Sequence, residues 1–228
     1  MSLSDNWKVF GGELLDETVF NLRFIKDDGG PAINKVFQGK ERPNVEQFQG
    51  VLESTIQKIN NQGYKAYTNL NPINPDFDGY AAKDQDISTR RRFLVDIDSR
   101  SDIRQPATDE EVEQALSLAH AIQRFLANEG WGLPHIIDSG NGAHLIYQLY
   151  GVKNTQEDRE LIKKILYQLD YLFSNETHKV DTSVHNAGRI TKLIGTKAYK
   201  GKATNERPVR TSSLIQFAKG ETTREQLR

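Results

Sequence analysis

The chain has 228 residues, enough for one compact unit or two closely joined subdomains with a sizeable buried core. Thirty Lys and Arg against 31 Asp and Glu leave a formal charge of -1, which excludes a uniformly basic nucleic-acid coat, so any such partner must meet a local patch. The absence of cysteine excludes a disulfide scaffold, a Cys-ligated zinc site and a cysteine nucleophile. No apolar run approaches the roughly 20 residues of a membrane span, and the polar start MSLSDNWK lacks the apolar centre of a signal peptide. The expectation is a soluble, cytoplasmic protein with no membrane partner.

The first element in chain order is a strand in TVFNLRFI, where Phe20, Leu22 and Phe24 alternate with Asn21 and Arg23. From Asn44 to Gln62, Val45, Phe48, Leu52, Ile56 and Ile59 recur at helical steps, with Asn44 as cap and Gly63 as terminator. YKAYTNLNP reads as a short aromatic strand stopped by Pro72, and the polar, proline-punctuated NPINPDFDGYAAKDQDIS as a loop. RRRFLVDIDSRSD gives the next strand. A helix follows from Thr108 to about Glu129, opened by the capping pair Thr108 and Glu111 and striped by Val112, Ala115, Leu116, Ala119, Ile122 and Leu126. Asp109, Glu110, Glu111 and Glu113 suit the positive end of its dipole and are read as capping and solvation.

LPHIIDSGNGAHLIYQL holds two apolar strands, with Asn141-Gly142 as the expected turn dipeptide. A second long helix, capped near Asn154, carries Leu161, Ile162, Ile165, Leu166, Leu169, Leu172 and Phe173 on one stripe. HKVDTSVHNAGRITKLIGTKAYKG then opens like a strand and turns irregular and basic. The order of elements predicts an α/β (α+β) fold in which helices cover one face of a small mixed sheet. Between His178 and Gly220 there are nine Lys and Arg against two acids, a local surplus of seven positive charges, which suits phosphate contacts. The closing TTREQLR looks like the start of a helix with nothing to pack against, as in one domain of a longer protein.

Three short segments carry candidate chemistry. In FLVDIDS, strand alternation puts Asp96 and Asp98 on one face, and the apolar neighbours Phe93, Leu94, Val95 and Ile97 mark the strand as buried. Two buried carboxylates are costly unless a cation neutralises them, and oxygen-only ligands point to Mg²⁺ or Mn²⁺ rather than zinc. The competing explanation is a strand that ends at Asp96, with Asp98 capping a turn. In DSGNGAH, backbone amides and the Ser139 hydroxyl could cradle an anion beside His144, against which stands an ordinary hairpin with a core histidine. In VDTSVHNAGRITKLIGTK, Asp181 could be a third metal carboxylate, and Arg189 and Lys192 phosphate-binding cations, where a structural ion pair is the alternative.

FLVDID, SGNGAH and VD followed by NAGRITKL, in that order, resemble the three motifs of the archaeo-eukaryotic primase superfamily, specifically its primase-polymerase branch. The match spans about Arg91 to Lys200. The resemblance implies a small N-terminal α/β subdomain, about residues 1–85, before an RRM-like catalytic subdomain of about 86–228. It makes Asp96, Asp98 and Asp181 the ligands of a two-metal site for Mg²⁺ or Mn²⁺, and puts Ser139, Gly142, His144, Arg189 and Lys192 at the nucleotide, with Lys197 and Lys200 extending the contact. It implies DNA-dependent primase and polymerase activity on a single-stranded DNA template and primer with (d)NTPs. A C-terminal helicase or accessory domain, or CRISPR-system proteins, would be the protein partners. With no Cys, the zinc module of some relatives is not in this chain, so no zinc is expected. Arg90, Arg91 and Arg92 are candidates to track nucleic-acid backbones, and Tyr67, Phe77 and Tyr80 candidates to stack on bases, against which stand a solvated strand entry and core packing. The competing functions are a metal-dependent nuclease and a catalytically inactive replication or nucleic-acid-binding module.

Overall fold

The structure, a computed structural model, describes residues 3–10, 19–38, 44–100 and 104–228. Thr18 and the end of RRRFLVDIDSRSD lie outside the described residues. After a short helix α1 (Asp5–Phe10) come β1 (Val19–Ile25), β2 (Ile33–Gln38), α2 (Val45–Asn60) and β3 (Lys65–Asn69). The next elements are β4 (Arg92–Ser99), α3 (Asp109–Asn128), β5 (His135–Asp138), β6 (Gly142–Tyr150) and α4 (Gln156–Phe173). Four short strands close the chain: β7 (His178–Val180), β8 (Ile190–Lys192), β9 (Ser213–Gln216) and β10 (Glu221–Thr223).

The strands form two sheets. The first is antiparallel in the order β2-β1-β3-β8, and the second runs β7-β4-β6-β5-β9, with β10 parallel to the end of β6. In the first, Phe20, Leu22 and Phe24 face the α2 stripe of Phe48, Leu52, Ile56 and Ile59, a buried set that also takes in Ala66 and Leu193. Each such side chain contributes about 1.5–3 kcal/mol by leaving water. Asn44 caps α2 by accepting from the Gln47 amide at 3.1 Å, and Gly63 ends the turn beyond it with a φ of 88°.

The second sheet is covered by α3 and α4, whose Ala115, Ala119, Ile122, Leu126, Ile162, Ile165, Leu166 and Leu169 enter one core with Phe93, Val95 and Ile97. Within it Trp131 meets Tyr147 edge-on at 5.3 Å and Phe93 at 5.8 Å between ring centres. The expected capping box of α3 is present: Thr108 Oγ1 accepts from Glu111 N, and Glu111 Oε2 accepts from Thr108 N. Among the described residues no helix is long and apolar enough to cross a membrane.

Several local expectations shift. The α4 cap is Thr155, whose hydroxyl accepts from the Asp158 amide, because the Asn154 amide is committed to the Asp84 and Ile87 carbonyls. The β5–β6 turn is a three-residue loop with Gly140 at φ 89°, and Gly142 already belongs to β6. TTREQLR is not an unpartnered helix start. Thr222 pairs with Leu149 of β6, Arg224 Nε donates to Asp158 at 2.6 Å, and Leu227 is buried in the core. A seven-residue segment gains little from an isolated helix, whereas β6 offers ready-made hydrogen-bond partners.

Candidate active site

The site follows from the register of β4. Asp96 stands directly opposite His144 on β6, and on the other side the Asp181 amide donates to the Asp96 carbonyl at 2.8 Å, just beyond the paired end of β7. Asp181, Asp96 and His144 thus form one row across three strands, with Asp98 two residues along the same face. One carboxylate oxygen from each of Asp96, Asp98 and Asp181 lies within 4.8 Å of the other two. Gly142 faces Asp98 across the pair, and a Cβ there would run into the Ile97 carbonyl oxygen. Lacking one, Gly142 lets β6 approach β4 at the position of Asp98.

His144 Nε2 is 3.3 Å from Asp96 Oδ1, and its Nδ1 is 3.4 Å from the Thr191 hydroxyl. Burial disfavours charge on both members of the pair, but mutual attraction outweighs it. The Asp96 carboxyl is held below its ordinary value and the His144 imidazole above its own. Asp98 is pushed up to about 6, first by the charge of Asp96 and then by burial. Arg189 offsets part of the negative charge, with Nη2 3.3 Å from Asp181 Oδ2. Three half-buried carboxylates converging on one point, one of them resisting ionisation, form an oxygen-only donor set that fits a hard divalent cation.

The trio lines a cavity of about 620 Å³ between the two sheets. The first sheet supplies Lys65 and Tyr67 from β3 and Thr191 and Lys192 from β8, where Tyr67 and Lys192 are paired directly. Lys192 Nζ sits 5.6 Å from the Tyr67 ring centre and donates to the Lys197 carbonyl at 2.9 Å. Burial, and then the charge of Lys65, lowers the Lys192 ammonium to about 7. Tyr67 is raised to about 12, by burial and then by Asp96.

The chain superposes over 98% of its length on the primase-polymerase (PrimPol) domain of cyanophage S-2L, covering 95% of that chain, with a TM-score of 0.55 and 15% identity. The fold is that of the archaeo-eukaryotic primases. It is similar also to primase RepB' (TM-score 0.52, 16% identity), matching 99% of its own length but 60% of that chain. A third similar structure is the polymerase domain of Mycobacterium tuberculosis ligase D in complex with DNA, with a TM-score of 0.50 and 13% identity over 92% of this chain and 78% of that one. No protein-family model matches the chain, and no curated protein matches it in sequence.

Against this primase fold the candidate residues can be placed one by one. Asp96, Asp98, Asp181, Ser139, His144, Arg189, Lys192 and Lys200 all line the cavity, whereas Gly142 and Lys197 are not among its lining residues. Arg90 and Arg92 neither track a backbone nor sit in solvent. Both are buried, Arg90 donating to the His185 carbonyl and Arg92 to that of Leu70, with the Arg92 guanidinium 5.1 Å from the Phe10 ring centre; Arg91 alone is exposed. Phe77 packs against a small core cluster and Tyr80 is exposed, while Tyr67 faces the cavity. Sequence reading missed Asp27, Lys65 and Arg104 on the cavity wall, and counted Lys179 there only as one cation of the basic stretch. A signal existed for Lys65 alone, which shares a strand face with Tyr67 while Ala66 points into the core.

Proposed function

We propose that the chain is a nucleotidyltransferase, and specifically a DNA-dependent primase-polymerase that adds (d)NTPs to a primer 3′-hydroxyl or an initiating nucleotide on a single-stranded DNA template. The observation that carries this reading is the meeting of three carboxylates with Arg189, Lys192, Lys200 and His144 in a cavity of about 620 Å³, within the usual range for small-ligand sites. Asp96, Asp98 and Asp181 would hold Mg²⁺ or Mn²⁺, which when bound supplies Lewis-acid stabilisation of phosphoryl oxygens and of the attacking hydroxyl. The chain's own part is positioning and charge. Arg189 and Lys192 receive the triphosphate, and His144, held in orientation by Asp96 and Thr191, presents a charged donor to it. Ser139, at the β5–β6 loop, adds a hydroxyl at the cavity wall.

The catalytic domain divides in this proposal at about residue 85, with β8 returning to complete the first sheet and so binding the two parts together. DNA is proposed as the partner because two of the similar structures, RepB' with initiator DNA and the ligase D polymerase domain with DNA, are complexes. A nuclease would use the same acids but leave the cationic wall without a task.

The test is extension of a labelled primer on single-stranded DNA with Mg²⁺ or Mn²⁺, by wild type and by an Asp96→Asn/Asp98→Asn variant. Nucleotide-dependent extension lost in the variant supports the proposal, and products on unprimed template add priming. Template cleavage without nucleotides, or no reaction at all, overturns it.

A further inference from the structure

A fourth carboxylate lies in the same cavity, away from the acidic trio. Asp27, at the tip between β1 and β2, accepts from Lys65 Nζ through Oδ1 at 2.8 Å, and through Oδ2 from the Gly201 amide at 2.7 Å and Arg104 Nε at 3.2 Å. Arg104 also donates through Nη2 to the Asp27 carbonyl. The donors come from three separate segments: β3, the connection after β4, and the basic stretch after β8. Asp27, Lys65 and Arg104 line the cavity that holds Asp96, Asp98 and Asp181.

This set differs from an ordinary structural ion pair. Two cations and a backbone amide converge on one carboxylate, and although burial pushes its carboxyl up, these donors hold it down to about 2. The amide is fixed: Gly201 has a φ of 54°, and a Cβ on it would run into the Arg104 carbonyl oxygen. An ammonium, a guanidinium and a glycine amide aimed at one point match the oxygens of a phosphate group. With Asp27 included the cluster keeps a net positive charge. The Asp27 side chain is 19% exposed and that of Arg104 69%, so the point is reachable from solvent.

We propose that Lys65, Arg104 and the Gly201 amide form a phosphate-binding site which Asp27 fills from within the chain and yields to a phosphate group of a nucleotide or of a nucleic-acid strand. The source of that phosphate rests on the proposed function; anion binding at the site does not. Asp27 acts here as an internal competitor, so its removal strengthens binding only while its two cationic partners remain.

The experiment measures binding by calorimetry in EDTA, without turnover, for inorganic tripolyphosphate and separately for a short unphosphorylated single-stranded oligonucleotide. Asp27→Asn is compared with wild type, and the pair is repeated in a Lys65→Met/Arg104→Met background. The expected result is about tenfold tighter binding of at least one probe on Asp27→Asn, shrinking to less than about twofold in that background, a coupling of sites in contact. A gain confined to tripolyphosphate assigns the phosphate to a nucleotide, and one confined to the oligonucleotide assigns it to a strand; either supports the proposal. An equal gain in both backgrounds means only that negative charge was removed, and no gain means that Asp27 is a structural strap; both overturn it. If Asp27→Asn fails to fold, Arg104→Met alone is decisive: weaker binding of either probe by about threefold or more supports the site, and unchanged binding of both overturns it. Because no step needs catalysis, a failed primer extension leaves this test standing.

Discussion

Asp98→Asn should stabilise the protein in the absence of divalent ions while abolishing its response to them. The Asp98 carboxyl is pushed up to about 6 from an ordinary 3.8, chiefly by the charge of Asp96. Between about pH 4 and 6 the native protein therefore keeps a proton that the unfolded chain has lost, and stability declines as pH rises through that window. Above it the penalty is complete: about two pKa units at about 1.4 kcal/mol each, or about 3 kcal/mol. That value already sets the attraction of His144 and Lys200 against the repulsion; asparagine carries no charge but leaves a polar amide half-buried, so the expected net gain is about 1–2 kcal/mol. For a chain of this length that raises Tm by about 3–6 °C.

Urea denaturation in EDTA at pH 7.5 and pH 5 measures both the gain and its decline by about 1.4 kcal/mol, since pH 5 lies midway through that window, where the unfolded chain is ionised at Asp98 and the native protein still holds its proton. Adding Mg²⁺ or Mn²⁺ at a hundred times Kd should then stabilise wild type by about 2.7 kcal/mol and leave the variant unmoved. If Asp98→Asn is no more stable than wild type at pH 7.5 in EDTA, or keeps the same advantage at pH 5, the account of repelling carboxylates is wrong.

Arg189→Met and Lys192→Met should each raise the nucleotide KM about tenfold or more in steady-state extension, because each removes a cation from the cavity wall. Gly142→Ala should cost about 1–3 kcal/mol in urea denaturation and lower divalent-ion affinity, since its Cβ would push β6 away from β4 beside Asp98. Burial, and then the charge of Arg92, lowers His135 to about 4 from 6.5. The unfolded chain takes up a proton that the native protein refuses, so stability should fall by about 3 kcal/mol as pH drops from 6.5 to 4, and His135→Gln should flatten that slope.

Helices and the acidic face of β4 are legible in the sequence because their causes are local. The capping box at Thr108, the cap at Asn44 and the alternation in FLVDIDS each operate within a few residues. What stays hidden depends on pairings between distant segments. Nothing near Lys192 shows that it will lie opposite Tyr67, 125 residues earlier, and nothing near Asp27 shows that it will meet an amide 174 residues away. The three arginines before FLVDIDS mislead for the same reason: Arg92 is buried by the Phe10 ring and the Leu70 carbonyl, both supplied from elsewhere in the chain.

The basic stretch after His178 shows how a correct count can still overstate a surface. Of its nine cations, Arg207 and Arg210 are bound to Glu111 and Asp109 in the first turn of α3, at 2.8 and 2.6 Å. Those acids are thus anchors as well as caps. Arg189 is paired with Asp181, and Lys192 is buried on a carbonyl. Five remain to meet strand phosphates: Lys179, Lys197, Lys200, Lys202 and Lys219. At about 0.7 counterions released per phosphate on single strands, the segment should contribute a salt slope of about -3.5 rather than the -6 or so that nine would give. Lys200→Met and Lys202→Met should each reduce the measured slope of log K against log salt by about 0.7. Arg207→Met should instead leave the slope in place and lower stability, because it frees Glu111 at the helix start. A slope that falls equally for Arg207→Met would mean that the α3 anchor opens when DNA binds.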